Sequence, residues 1–506
     1  MRKFLLFVLV VLQTGTASAL TKNDVLSVQN GIYYLDGAPF AEIGWNKFEI
    51  NWLLFDEVYA GRLLTNTNDM VIKQRNSIRE LAESGVKTIR IFGNVYTSNF
   101  SKWLFYFNQS DPILHERCWL SLDKTLDICE ENNIRAVVSL ACENFEDRTT
   151  TPAENQRELI GNPNSASRAL LYRYLNEAIT RYKDRKGVLA WEVGNELTLK
   201  PDIDPGTRVR DGERKPTLAQ LSQFYKEVVQ KIKSIDTLRM VTSGGSILRE
   251  MAYGLSIIPQ TDKVTNWPAK RDTYSQQLNA YRLVYDNSGF ENIDIHFYLK
   301  KAPNYQILAD DATTPLIMDE IRYNALSTAL GKPLMIGEYG VVPKVRTDPD
   351  YWLTGQDWFE TFTGESDSAQ MYVQEACDRA VNSGCRLIYW WCYDSHRLKD
   401  QTDSQRFDLD IVRTPILFKK VLDANRRLKL KYNITSATTA NYKERKMWYK
   451  GGYLFLSPDL IGKTCRVYNV HGVLLQQFVS TNSVALKNKG ILIIKAEDKI
   501  IKILNN

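Results

Sequence analysis

Short apolar runs alternate with amphipathic stretches between residues 35 and 430. Between the runs, apolar residues recur at helical spacing, and glycine often precedes the next run, as at Gly85, Gly187 and Gly384. Strands that alternate with helices pair in parallel, and eight such units predict a (β/α)8 TIM barrel, an α/β fold. An open doubly wound sheet has the same rhythm, but no Gly-rich nucleotide-binding loop follows any run. The runs begin near Phe40, Lys87, Arg135, Val188, Arg239, Asp294, Pro333 and Arg386.

The pattern changes near residue 434. Small polar residues at 436–441 are typical of a linker, and short β-like runs follow, with turns at His471-Gly472 and Lys489-Gly490. The sequence therefore predicts a barrel domain over residues 20–433 and a small C-terminal antiparallel β-sandwich over residues 434–506.

The first nineteen residues have the parts of a secretory signal peptide. Arg2 and Lys3 are positive, residues 4–12 are apolar, and Ala17-Ser18-Ala19 fits cleavage near Ala19. The apolar run is too short to span a bilayer, and no later run reaches that length without charges. We expect an exported protein, secreted or at the cell surface, with no transmembrane segment.

Charge and cysteine content argue against several classes of partner. The net charge is +6, but residues 434–506 hold eleven basic and four acidic side chains, so the tail is basic and the body mildly acidic. This distribution gives no reason to expect nucleic acid. The seven cysteines lack CxxC spacing, and the four histidines form no metal-type cluster with them. We expect free thiols, no metal and no cofactor.

Two apolar strands end in a glutamate. Residues 188–194 lead into Asn195-Glu196, and residues 333–337 lead into Glu338. Barrel active sites lie at the carboxyl ends of the strands, so strands four and seven present both glutamates to one cleft. Glycoside hydrolysis needs such a pair, which in retaining enzymes lies about 5–5.5 Å apart. The pair predicts one glutamate as the general acid/base and the other as the nucleophile.

Aromatic residues are frequent after strands one, two and seven. Their faces offer platforms for sugar rings, so we expect them to line a sugar-binding cleft. The competing interpretation is that they pack long loops onto the barrel. The residues are Trp45, Phe48, Trp52 and Phe55, then Tyr96, Phe100, Trp103, Phe105, Tyr106 and Phe107, then Trp352, Trp358, Phe359 and Phe362.

With these motifs, residues 35–430 resemble the clan A glycoside hydrolases, and family 5 most closely. The resemblance implies that Glu196 is the general acid/base and that Glu338 is the nucleophile. It also implies that Asn195 binds the sugar 2-hydroxyl and that Arg90, at the end of strand two, keeps Glu338 ionised.

The same resemblance extends to strands six and eight. In Asp294-Ile295-His296-Phe297-Tyr298, it implies that His296 orients Glu196 or the sugar and that Tyr298 donates a hydrogen bond to the nucleophile. Trp390 is expected to form the floor of the sugar subsite. Trp391 is its rival, because neighbouring residues of a strand face opposite sides.

Two departures from the family pattern bear on the substrate. The strand-three run, residues 138–143, has no histidine, and Leu197 stands where the family usually has proline. The missing histidine and the run Arg90-Ile91-Phe92-Gly93 resemble the mannanase branch more than the cellulases. The resemblance therefore implies a retaining enzyme acting on β-1,4-mannan. The alternatives are a β-1,4-glucanase or another clan A β-glycosidase, an inverting barrel hydrolase, and an inactive carbohydrate-binding barrel.

The tail has a resemblance of its own. Residues 467–472, 489–495 and 499–502 resemble the C-terminal sorting domain of the type IX secretion system. That resemblance implies secretion machinery as a partner, followed by tail cleavage or surface anchoring. A carbohydrate-binding module is the alternative, although the tail has a single tryptophan, Trp448.

Overall fold

The computed structural model describes most of residues 20–434 and the strands of the tail. The described ranges are 20–95, 100–141, 153–202, 214–259, 271–299, 307–309, 316–341, 344–346, 359–361, 364–393, 414–434, 447–450, 453–456, 463–469, 473–479, 483–486, 490–496 and 499–505. The predicted signal peptide lies outside them and stays a prediction.

Eight parallel strands form one near-closed sheet, as predicted. Numbered one to eight along the chain, they lie in the order five-four-three-two-one-eight-seven-six, so strands five and six are its two ends. This arrangement is consistent with a (β/α)8 barrel, and each predicted run contains or adjoins one strand. The strands span Glu42–Asn46, Thr88–Phe92, Arg135–Ala141, Val188–Gly194, Val241–Thr242, Ile293–Leu299, Leu334–Val341 and Leu387–Trp390.

Helices separate these strands. The helix Leu218–Lys233 shows the local cause: Thr217 and Gln220 form a capping box at its start, and Leu221, Val228 and Ile232 make its buried face. The α-helices span Ile50–Tyr59, Asp69–Glu83, Phe100–Phe107, Pro112–Glu116, Leu120–Glu131, Gln156–Gly161, Ala166–Tyr182, Leu218–Lys233, Ala252–Ser256, Tyr274–Tyr285, Glu320–Ala329, Asp367–Asn382 and Pro415–Lys431.

Short elements complete the barrel unit. Lys22–Asp24 and Leu197–Leu199 are 3-10 turns. The short strands pair antiparallel in three small sheets: Ser27–Gln29 with Ile32–Leu35 and Ala38–Pro39, Ile307–Leu308 with Leu316–Ile317, and Lys344–Arg346 with Phe359–Thr361.

The first of these small sheets covers the amino-terminal end of the barrel. Leu26, Tyr33 and Leu35 belong to one buried cluster with Leu387 and Tyr389 of strand eight. Each fully buried large apolar side chain stabilises the fold by about 1.5–3 kcal/mol. The opposite, carboxyl-terminal end is left for the site.

The two ends of the sheet are joined by side chains of strands five and six. Strand five has only two residues, and Thr242 Oγ1 donates to Asp294 Oδ2 at 3.0 Å. Asn292 Nδ2 of the strand-six segment donates to the same hydroxyl at 3.1 Å. These contacts close the barrel where strand five is short.

The chain divides into two compact units, and the second takes residues Thr435–Asn506 together with Glu83–Gly85. The tail has two antiparallel sheets, and their association as a sandwich stays a prediction. One sheet contains Met447–Lys450, Tyr453–Leu456 and Ser483–Ala485, and the other contains Thr464–Asn469, Leu474–Val479, Gly490–Ala496 and Lys499–Asn505.

The sequence predicts free thiols and no transmembrane segment, and two observations on the described residues bear on these predictions. Six cysteines are buried thiols outside any disulfide, and Cys142 is not among the described residues. Among the described helices, none has the length and apolar character needed to cross a membrane.

Candidate active site

The two predicted glutamates face each other at the carboxyl ends of strands four and seven. Glu196 follows strand four in a left-handed conformation, with φ of 53°, and its N–H donates to Gly244 O at 2.8 Å. One carboxylate oxygen of Glu196, one of Glu338 and a ring nitrogen of His296 all lie within 4.8 Å of one another. Glu196 keeps 23% of its side chain exposed and Glu338 only 6%.

A β-bulge turns Glu338 into the barrel. Ile336 pairs with Ile295, whereas Glu338 pairs with His296, so strand seven has one extra residue, Gly337, at this point. An extra residue in one strand reverses which face the following side chains take. Met335 belongs to the interior cluster at the base of the barrel, and after the bulge Glu338 also points inward.

Arg90 connects the site residues through five hydrogen bonds, which match the five N–H groups of a guanidinium. Nε and Nη2 donate to the two oxygens of Glu192, both at 2.7 Å. Nη1 donates to Glu338 Oε1 and to Asn46 Oδ1, both at 2.9 Å, and Nη2 donates to Asn195 Oδ1 at 2.7 Å. Arg90 is fully buried, and its orientation is set by these acceptors.

The charges around Arg90 determine its state. Burial by itself lowers the pKa of Arg90, but Glu192 and Glu338 raise that pKa above its usual value. The guanidinium therefore stays charged and places a positive charge 2.9 Å from Glu338 Oε1.

Strand six contributes two further contacts to the glutamates. Tyr298 Oη donates to Glu338 Oε2, and burial together with Glu338 raises the pKa of Tyr298 well above its usual value, so the phenol keeps its proton. His296 Nδ1 lies 3.1 Å from Glu196 Oε1 and 3.5 Å from Glu338 Oε1. Burial lowers the pKa of His296, but Glu338 and the hydrogen bond to Glu196 outweigh it, so the pKa of His296 is raised.

Glu196, His296 and Glu338 are also the group with metal-ligand spacing in the described part of the chain. Arg90 Nη1 already supplies a positive charge 2.9 Å from Glu338 Oε1. The arrangement therefore fits acid–base and nucleophilic chemistry without requiring a metal ion to balance the two carboxylates.

Comparison with known families agrees with this geometry. The sequence model described as Cellulase (glycosyl hydrolase family 5) matches residues 42–395. The chain belongs to glycosyl hydrolase family 5. The match covers every barrel strand, and the family 5 enzyme is thus a glycoside hydrolase.

The chain is similar to several solved structures, and the first of the three described here supports the fold. The endo-1,4-β-mannanase from Rhizomucor miehei aligns with a TM-score of 0.52 at 13% identity, over 80% of this chain and 99% of that one. A family 5 mannosidase from Rhizomucor miehei aligns at 0.49 and 12% identity, over 82% and 100%. The endo-β-1,4-mannanase from Thermotoga petrophila aligns at 0.47 and 13% identity, over 93% and 99%. A search of curated proteins finds no match.

The prediction that Trp390 forms the floor of the subsite is wrong. Trp390 has no exposed surface in the family 5 enzyme, and its ring packs 6.4 Å from Trp45 and 5.8 Å from Tyr339. Leu387 and Tyr389 belong to the interior cluster, so Trp390 takes the opposite face, towards the helices.

Trp391, the rival, follows on the inward side of the strand and stays a candidate for the subsite. It is partly exposed and stacks on Phe48 with ring centroids 4.6 Å apart. Phe48 packs 5.7 Å from Phe92, and Arg90 Cζ lies 5.4 Å from the Phe92 ring. An aromatic path therefore connects Trp391 to the buried arginine of the site.

Most of the other described loop aromatics pack the core instead of lining a cleft. Phe48 is buried but supports Trp391, and Phe105 is 56% exposed. Tyr96, Trp352, Trp358 and Phe362 lie outside the described residues. The core-packing interpretation holds for Trp45, Phe55, Phe100, Trp103, Tyr106 and Phe107, all of which are buried.

Three site residues were missed from sequence: Asn46, Glu192 and Asp294. All three are fully buried. Each lies on the inward face of its strand. Asp294 is two positions before His296, Glu192 is four before Glu196, and Asn46 pairs with Arg90 across neighbouring strands. Polar residues at inward positions of an apolar strand were the signal available in the sequence.

Proposed function

We propose that this family 5 enzyme is a retaining β-glycosidase acting by double displacement, with Glu338 as nucleophile and Glu196 as general acid/base. The observation that carries the proposal is that an oxygen of Glu338 and an oxygen of Glu196 lie within 4.8 Å of each other. Retaining pairs lie about 5–5.5 Å apart, whereas inverting pairs lie about 6.5–9.5 Å apart to hold a water. This separation favours retention over the inverting alternative.

The different surroundings of the two glutamates support their roles. Glu338 is buried and accepts from Arg90 and Tyr298, so these two donors hold its carboxylate where it attacks the anomeric carbon. Glu196 is more exposed and contacts His296, so it can reach a leaving-group oxygen and later a water. In the first step the Glu338 oxygen bonds to the anomeric carbon while Glu196 gives its proton to the leaving oxygen. In the second step Glu196 takes a proton from the water that releases the sugar.

We propose β-1,4-mannan as the substrate. The sequence supports this through the absent strand-three histidine and the Arg90-Ile91-Phe92-Gly93 run. The mannanase of similar fold from Rhizomucor miehei makes mannan the first polymer to test. An inactive carbohydrate-binding barrel does not need two converging carboxylates with a buried arginine behind one of them.

A panel of mannans, glucans and xylans tests the proposal. We expect hydrolysis of mannan, with ¹H NMR showing that the first product has the β-configuration of the substrate. Preferential cleavage of glucan would show that glucan, not mannan, is the substrate. A first product of α-configuration would show that the enzyme inverts. No turnover on any polymer would favour the binding barrel.

Replacing the two neighbouring tryptophans tests the corrected subsite. Trp391→Ala is expected to lower kcat/KM about tenfold, because about 1.5 kcal/mol of ring stacking on the sugar is lost. Trp390→Ala is expected to lower the free energy of unfolding by about 3–5 kcal/mol, because it empties a core position. Kinetics and urea denaturation separate the two. An unchanged kcat/KM in Trp391→Ala would show that the Trp391 ring does not stack on the sugar.

Export also remains part of the proposal. We propose that residues 1–19 direct secretion and that the tail acts as a sorting domain for type IX secretion machinery. The composition of the first segment and the short motifs of the tail support it.

A further inference from the structure

Asp294 lies on the inward face of strand six, two residues before His296. It is fully buried and accepts three hydrogen bonds. Oδ2 accepts from Thr242 Oγ1 at 3.0 Å and from Gly244 N at 3.1 Å, and Oδ1 accepts from Gly337 N at 3.1 Å. One backbone donor, Gly337, directly precedes Glu338, and the other, Gly244, accepts the N–H of Glu196 through its carbonyl.

Oδ1 holds the bulge that directs Glu338. Gly337 is the extra residue of strand seven, and its N–H has Asp294 as acceptor while its carbonyl accepts from Asn46 Nδ2 at 2.9 Å. A Cβ at position 337 would lie 2.7 Å from Asp294 Oδ1 and 3.1 Å from His296 Nε2. The bulge therefore fits closely over this carboxyl group.

Oδ2 holds the turn that positions Glu196. Gly244 has a left-handed φ of +64°, and its carbonyl accepts the N–H of Glu196 at 2.8 Å. A Cβ there would lie 2.3 Å from Glu192 Oε1, so this turn is also tightly enclosed. One carboxyl group thus reaches the backbone supports of both glutamates.

We propose that Asp294 is a positioning residue that sets the distance between the Glu196 and Glu338 carboxylates. The inference rests on the proposed function for its catalytic meaning. A buried carboxyl is costly to keep: burial and the neighbouring Glu192 raise the pKa of Asp294 to about 7. An apolar residue would avoid that cost but would leave two buried backbone N–H groups without acceptors.

Asp294→Asn tests the proposal because it keeps the size and removes one acceptor. The amide nitrogen would face a backbone N–H at either Gly337 or Gly244, so one support is lost. We expect kcat to fall about 10²-fold, the cost of a misplacement of about 1 Å, with KM little changed. We also expect a crystal structure of the variant to show the oxygens of Glu196 and Glu338 further apart than the 4.8 Å that bounds them in the wild type.

Asp272→Asn is the matched control. Asp272 is also buried, accepts from the N–H groups of Tyr253 and Gly254 and from Gln277 Nε2, and has a pKa raised by burial. We expect this variant to lose stability but to keep kcat. An equal loss of kcat in both variants would assign the effect to general destabilisation and overturn the proposal.

Thr242→Val covers the case in which Asp294→Asn does not fold. It removes one donor to Oδ2 and leaves both backbone contacts, so we expect a smaller fall in kcat. A folded Asp294→Asn with wild-type kcat, or unchanged kcat in Thr242→Val when Asp294→Asn fails to fold, would contradict the proposal. A wild-type enzyme without sugar turnover would instead remove the proposed function, and the carboxylate separation would still test the role of Asp294.

Discussion

Glu338→Ala is expected to reduce kcat by at least about 10⁴-fold, equivalent to about 5.5 kcal/mol of activation free energy. The variant lacks the group proposed to bond to the anomeric carbon, and it leaves Arg90 Nη1 and Tyr298 Oη aimed at a missing carboxylate. The rate on the sugar polymer identified by the panel measures the effect.

Rescue by azide distinguishes loss of a nucleophile from other causes of inactivity in Glu338→Ala. We expect sodium azide to restore turnover of an aryl β-glycoside by Glu338→Ala, because the anion attacks from the side where the carboxylate stood. The product would be the α-glycosyl azide, which NMR identifies. Glu320→Gln is a suitable control: Glu320 is buried and pairs with Arg379 Nη2 at 2.7 Å, so it should keep its activity. Wild-type turnover by Glu338→Ala without azide would remove the assignment.

Glu196→Gln is expected to lower kcat/KM on the polymer by about 10²–10⁴-fold, the usual contribution of a general acid. The same variant should lose little kcat/KM on an aryl glycoside with an acidic phenol, because that leaving group departs without a proton. Parallel kinetics on the two substrates measure the contrast.

The release of sugar provides a second check on Glu196. Since the proposed mechanism also has Glu196 activate the water, the glycosyl-enzyme should accumulate in the variant, with a burst of phenol before slow turnover. An equal loss on both substrates without a burst would show that Glu196 acts only in binding.

The sequence predicts the barrel well because its strands are short, apolar and separated by strong helix signals. The residues at strand ends follow from the same pattern: Glu196, Glu338, Arg90 and Asn195 are joined by the contacts described above. Position along the chain is enough here, because parallel strands bring their carboxyl ends together.

Side-chain facing was harder to predict. To choose between Trp390 and Trp391, one must know which residues of strand eight point into the barrel. The structure shows that Leu387 and Tyr389 do, because they belong to the interior cluster. The bulge at Gly337 reverses the side to which the following residues of strand seven point. The alternation of apolar and polar residues in the sequence gives no sign of this extra residue. For the same reason the sequence alone did not distinguish Asp294, which supports the site, from an ordinary buried polar residue.

The sheet that covers the amino-terminal end of the barrel has a consequence for how the chain folds. Leu26 and Leu35 share their cluster with Leu387 and Tyr389, and Lys429 Nζ reaches Glu42 Oε1 at 2.7 Å. Residues almost four hundred positions apart must therefore meet before the base is sealed. Such long loop closures slow folding. The unit should acquire its full cooperativity only after strand eight and the last helix have joined residues 26–42, so a chain that lacks the last two elements would stay open and accessible to proteases.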